Sequence, residues 1–291
     1  MPLCLSTFAD TNFARAMLMA GVLASACAVL SVIVVLRRWA FIGEGISHAG
    51  FGGVGTGWLL SLGLPILRQP DAVFAVALLF CLLTAVGIGW VTRRESTGEF
   101  FGADSAIGIF LSAGLAWGFA ALAIYKRYHG NDSVDWERYL FGNIDLVPGN
   151  ILIAGTAISL LVFVCVIALF KEIITYAFNP LIAEVSGVRV GLVHYMLMLL
   201  IAVTVVIGMR IAGNVSITAL LILPGSTALL LSRKLPVVFT ISIAAALIAS
   251  LGGVLFRHVF FKDFPGGPAI VLMLVLEFII ALIATRVLRK N

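Results

Sequence analysis

The sequence predicts an all-α polytopic membrane protein, an integral bundle of about nine transmembrane helices, and three observations carry that expectation. Of its 291 residues 62% are hydrophobic and only 11% charged, whereas a soluble domain carries about 25% charged residues and 45–50% apolar ones. Apolar stretches of about 18 residues or more, each able to cross roughly 30 Å of hydrocarbon as a helix, recur along the whole chain. These runs lack the alternation of barrel strands, and lipid admits only helices or closed barrels, because an unpaired backbone group there is so costly.

Taken in order, the expected spans are residues 14–36, 44–63, 71–91, 103–124, 149–170, 192–212, 215–232, 236–256 and 268–285. The first is no signal peptide by its pattern: Asp10 and Arg15 precede a long apolar run that closes at Arg37 and Arg38. Glu44, His48 and many glycines dilute the second span, and Pro224 interrupts the seventh, so eight spans are the alternative count. The longest stretch outside the spans, Tyr125 to Pro148, has no room for a folded soluble domain, and residues 1–291 read as a single transmembrane domain.

Lys and Arg accumulate on the cytoplasmic side of membrane proteins. An outside N-terminus and a cytoplasmic C-terminus put eleven inside, among them Arg37, Arg38, Arg93, Arg94, Lys171, Arg189 and Arg233, and seven outside, with Arg210 near an outer helix end. The net charge of +5 comes from these flanks and forms no aromatic-interleaved basic patch, so no nucleic-acid partner is expected. Cys4, Cys27, Cys81 and Cys165 lack metal-site or redox spacing, which leaves packing as their role. No G-x-x-x-x-G-K-[ST], HExxH or G-x-S-x-G occurs, so the chain has no ATPase motif and no enzyme signature of those kinds.

Within the second span, GEGISHAGFGG at 43–53 sets Glu44 and His48 four residues apart, on one helical face. Ionisable groups inside a membrane mark a transport path by default, and a carboxylate with an imidazole suits zinc, manganese or iron(II). Gly52 and Gly55 continue the face and would leave room for a small cation to pass. The competing reading puts Glu44 at a helix N-terminus, gives His48 one interhelical hydrogen bond, and uses the glycines for close helix packing.

Between the fifth and sixth spans, FNPLIAEVSGV at 178–188 predicts a two-turn helix over about 180–186. Asn179 caps its N-terminus, Pro180 takes its first position, and Gly187 suits a left-handed residue after its end. It fits a docking element for a cytoplasmic partner, or a plain connector. In the seventh span Pro224 and Gly225 lie mid-membrane, where proline breaks a hydrogen bond that Ser226 or Thr227 can replace; a gate point and a static kink both fit. Glu277 in the last span needs a partner or water. His129, Asp132, Asp135, His258 and Asp263 fall on the expected outer side, where they could guide a cation or simply be solvated.

Together the segments RRWAFIGEGISHAGFGGVGTG at 37–57, YLFGNIDLV at 139–147, FNPLIAEVSGV at 178–188, AGNVSITALLILPGSTALL at 212–230 and FPGGPAIVL at 264–272 resemble the membrane permeases of bacterial metal-ion ABC importers. The resemblance implies a type II ABC importer-like fold in the bacterial plasma (inner) membrane. It also implies a pair of permease copies, two cytoplasmic ATPase subunits and an extracytoplasmic metal-binding protein, with a transported divalent ion and no permanently bound cofactor. The family's Asp four residues before a histidine, lining the metal route, becomes Glu44 with His48; the longer acid is a departure. Phe178, Pro180, Ala183 and Gly187 match its ATPase-contacting segment, to which Asn179 and Glu184 belong by position. Asn214 and Ser216 replace residues that are apolar in the family.

The leading expectation is therefore a permease subunit of an ATP-driven importer of zinc, manganese or iron(II). The alternatives are a gradient-driven cation transporter without an ATPase, and an intramembrane metalloenzyme, which would need a third protein ligand and an activated water.

Overall fold

The computed structural model describes residues 11–92, 103–129, 149–260 and 265–288. They form α1 (Thr11–Leu36), α2 (Ile42–Leu60), a 3-10 turn (Pro65–Arg68), α3 (Pro70–Thr92), α4 (Ala103–His129), α5 (Gly149–Ala168), α6 (Phe170–Phe178) and α7 (Pro180–Val185). There follow α8 (Val190–Ala212), α9 (Asn214–Leu220), α10 (Leu223–Leu231), α11 (Leu235–Phe260) and α12 (Gly266–Leu288), with no strand among the described residues. Asp132, Asp135, Asp263, Cys4 and the 139–147 segment lie outside the described residues, as does the side chain of His129.

Eight of the expected spans recur as segments long and apolar enough to cross a membrane. The second, α2, is a 19-residue helix of about 28 Å at 1.5 Å per residue, but glycine, Glu44 and His48 keep it out of that class. Its length spans while its composition does not, and this is why eight and nine compete as counts.

The helices pack into two compact units. In the first, residues 1–40, 136–170 and 207–291, α1 is the core, with every residue from 26 to 34 buried. It packs on α5, α10 and α11, and α12 packs on α9, α10 and α11. Ser242 Oγ donates to the Ala28 carbonyl at 2.8 Å, an interhelical bond that needs no water in a buried apolar setting.

In the second unit, residues 41–135 and 171–206, α2 packs on α3 and α4. It buries 13 of its 19 residues, seven of them glycine. A Cβ at Gly52 would lie 3.0 Å from the Gly114 carbonyl oxygen, and one at Gly55 2.9 Å from that of Gly118. Facing small residues of this kind let two membrane helices touch backbone to backbone.

Candidate functional site

Glu44 stands in the first turn of α2 and His48 one turn later. His48 Nε2 donates to Glu44 Oε1 at 2.9 Å, and the two side chains are 18% and 37% exposed. Because a carboxylate only accepts, Nε2 carries the proton, a tautomer assigned from the partner. That leaves Nδ1 as a bare acceptor, buried and without a hydrogen-bond partner among the described residues. The Phe51 ring lies 5.7 Å away, centroid to centroid. The pair supplies two donors, and no group of three or more His, Cys, Asp or Glu gathers among the described residues.

The open face expected beyond the pair is absent. Gly52 and Gly55 press on the backbone of α4 at Gly114 and Gly118, and Phe80 of α3 covers Gly52. The glycines serve helix packing, and no cation route runs along them within this unit. Spacing alone could not separate the two uses, because a Cβ-free face invites a helix as readily as an ion.

The 178–188 segment folds as its residues dictate. Asn179 Oδ1 accepts from the Leu181 and Ile182 amides at 2.9 and 3.3 Å, and Pro180 opens α7. Gly187 adopts φ +83°, with its amide on the Glu184 carbonyl and that of Val188 on the Ala183 carbonyl, both at 3.0 Å. These are the paired bonds of a Schellman cap. Ala183 is fully buried, while Phe178, Leu181, Ile182 and Val185 are 62, 57, 58 and 91% exposed. Four neighbouring apolar side chains beside exposed Glu184 form the kind of patch that a partner covers.

Pro224 does not kink a continuous helix. The span breaks at Leu221 and Ile222, and Pro224 lies in the first turn of α10, where its missing N–H costs nothing. The Gly225 amide, one of the donors left without an intrahelical partner where α10 begins, donates to Ser31 Oγ of α1 at 2.9 Å. A Cβ on Gly225 would sit 2.7 Å from the Ser31 backbone.

Asn214 and Ser216 are buried at the start of α9, after Gly213 at φ +84°. Ser216 Oγ donates to the Ala212 carbonyl at 2.8 Å, and Asn214 Oδ1 has no hydrogen-bond partner among the described residues. Neither has Glu277 Oε2, buried on α12. The His258 ring packs against that of Phe13, centroids 4.6 Å apart and planes tilted by 46°. Cys27 and Cys81 are buried and Cys165 partly so, all as free thiols. Sequence reasoning passed over His194, 3% exposed in the first turns of α8; an imidazole inside an apolar window was the available signal.

The family model described as the ABC 3 transport family matches residues 9–285. The chain is 31% identical over 273 residues to the probable iron transport system membrane protein of Haemophilus influenzae, covering 94% of this chain and 93% of the relative. It is 30% identical over 247 residues to the manganese transport system membrane protein MntC of Halalkalibacterium halodurans, covering 85% and 78%. Among solved structures, PsaBC from Streptococcus pneumoniae in complex with Fab superposes with a TM-score of 0.76 at 27% identity over 95% of this chain and 93% of that one. An inward-facing putative metal-chelate type ABC transporter shares the fold, with a TM-score of 0.69 at 14% identity over 98% and 89%. With eight segments long and apolar enough to cross a membrane and no strand among the described residues, and with a family match over residues 9–285, the chain is a multi-pass membrane protein that belongs to the ABC 3 transport family.

Proposed function

We propose that the chain is the permease of an ATP-driven importer that carries a divalent transition metal, Zn2+, Mn2+ or Fe2+, into the cytoplasm, with Glu44 and His48 as transient ligands. The observation that carries this reading is a carboxylate and an imidazole hydrogen-bonded to each other at 2.9 Å on a membrane helix of an ABC-family chain. Such ligands have to hold the ion weakly enough to release it.

The shared proton explains how. For the pair to hold an ion, the imidazole would have to switch tautomer, Nε2 giving its proton to water and the bare Nδ1 taking one up, so that Nε2 and the Glu44 carboxylate both present lone pairs; when the ion leaves, the reverse switch restores the hydrogen bond and stabilises the empty pair. Two donors fall short of the four that a tetrahedral ion takes, so a second copy of the chain, waters on the ion or both complete the shell. Relatives named for manganese and for iron transport support the cargo class.

The residues Phe178, Asn179, Pro180, Ala183, Glu184 and Gly187 form the cap and the face against which a cytoplasmic ATPase would bear, and the exposed apolar row there supports that role. The break at Leu221 and Ile222, directly before Pro224 and Gly225, is where the seventh span would flex as access alternates. An extracytoplasmic metal-binding protein delivers the ion to the outer side, and the bias of Lys and Arg supports an outer N-terminus and a cytoplasmic C-terminus in the bacterial inner membrane.

The test is metal uptake by proteoliposomes holding this chain, its ATPase and its binding protein, with and without ATP. Glu44→Ala and His48→Ala are expected to abolish uptake while the assembly still hydrolyses ATP. Uptake by the chain alone, driven by a gradient, would overturn the reading.

A further inference from the structure

His194, on α8, has no role assigned so far, yet it ties α8 to α6 and α3 inside the second unit. Its Nε2 lies 3.0 Å from the Gly89 carbonyl, which only accepts, so Nε2 carries the proton. Its Nδ1 then accepts from the Tyr176 hydroxyl at 2.6 Å. Thr92 Oγ1 lies 3.3 Å from Nε2 and donates to the Ile88 carbonyl at 2.8 Å. Tyr176 and His194 are 2% and 3% exposed. The chain of bonds runs from α6, directly before the capped 179–187 segment, through the start of α8, to the last turns of α3.

From there α3 is fastened to the helix carrying the metal ligands. Ile88, fully buried, lies over Gly45, next to Glu44. Cys81 Sγ contacts the Ile46 carbonyl at 3.4 Å, and Gly53 abuts the Ala77 backbone. Close packing transmits displacement without much loss, and a buried hydrogen bond resists being pulled apart because its groups find no water in exchange.

We propose that His194, held between Tyr176 and Gly89, is a positioning residue that carries movement of the 179–187 segment through α3 to the helix bearing Glu44 and His48. This rests on the reading of that segment as the ATPase-bearing element. Gly89 belongs to the device, since a Cβ there would lie 3.1 Å from the Tyr195 ring and 3.4 Å from His194 Nε2.

The experiment measures metal uptake and ATP hydrolysis in the same proteoliposomes, using the full transporter, for Tyr176→Phe, His194→Ala and His194→Gln. Tyr176→Phe removes one hydroxyl and keeps the ring, so it stays interpretable if His194→Ala fails to fold. The expected result is a drop of at least about five-fold in ions moved per ATP for Tyr176→Phe and His194→Ala, with hydrolysis within about two-fold of the parent. Recovery in His194→Gln, which can still donate to the Gly89 carbonyl, is expected as well. A parallel arm follows amide exchange at residues 88–92 of the full chain in lipid nanodiscs, where Tyr176→Phe should accelerate exchange. Unchanged ions per ATP in Tyr176→Phe overturns the proposal, and so does unchanged exchange. A parent complex that moves no metal would refute the importer reading, while the exchange arm would still decide whether the strut exists.

Discussion

Gly55→Ala is the sharpest probe of how the ligand-bearing helix is held. The new methyl carbon would sit 2.9 Å from the Gly118 carbonyl oxygen, 3.1 Å from Ala121 Cβ and 3.3 Å from Gly118 Cα. Ordinary contact begins near 3.4 Å, so α2 and α4 must separate by about 0.5 Å, loosening the neighbouring Gly52 contact as well. Overpacking of this size costs about 1–3 kcal/mol. Gly108, on the same helix α4, has nothing within 4 Å of its would-be Cβ, and alanine there removes only glycine's entropic penalty, a gain of about 0.5–1 kcal/mol. Thermal unfolding of the purified protein in one detergent, scaled as for soluble domains, should show Gly55→Ala about 2–10 °C below the parent. Gly108→Ala should lie at or slightly above it. Equal midpoints for the two variants, or a stabilised Gly55→Ala, would refute the backbone-to-backbone contact and reopen the glycine face as a route for ions.

Three further outcomes follow from local geometry. Ser31→Ala strips the Gly225 amide of its acceptor 2.9 Å away and should cost about 1–2 kcal/mol, seen as faster amide exchange at Gly225. Asn179→Ala removes the cap on α7, worth about 1 kcal/mol, so exchange at Leu181 and Ile182 should rise about five-fold, with a matching loss of ATP-dependent uptake. Arg38 sits at φ +57° where α1 ends, with the Trp39 amide on the Val34 carbonyl at 2.9 Å. Arg38→Gly relieves that left-handed strain and should raise the unfolding midpoint by the equivalent of about 0.5–1 kcal/mol.

Local chemistry was readable from the sequence, and long-range partnership was not. Asn179, Pro180 and Gly187 announce a capped two-turn helix because each acts on backbone groups within three residues of itself. The spacing of Glu44 and His48 likewise fixes their shared face, and their mutual hydrogen bond follows from it. By contrast, Ser31 lies 194 positions from the amide it satisfies, and nothing in either neighbourhood points to the other. Gly52 and Gly55 show the same limit: the sequence records a missing side chain and says nothing of what fills the gap. His194 went unnoticed because a lone histidine acquires meaning only from Gly89 and Tyr176, which arrive from separate helices.

The glycine content of α2 also bears on how the chain is built. A segment too weakly apolar to stand with the eight evident spans gains little by entering lipid by itself, since glycine offers no side chain to bury. What it gains comes from burying 13 of its 19 residues against α3 and α4. On the nine-span reading, insertion of α2 is tied to the arrival of its neighbours, and its entry would set the parity of every later crossing. A nascent chain that leaves α2 outside would present each following loop to the wrong compartment. On the proposed orientation, Arg93, Arg94 and Lys171, which resist translocation, would act as the corrective that draws α2 and α3 across together.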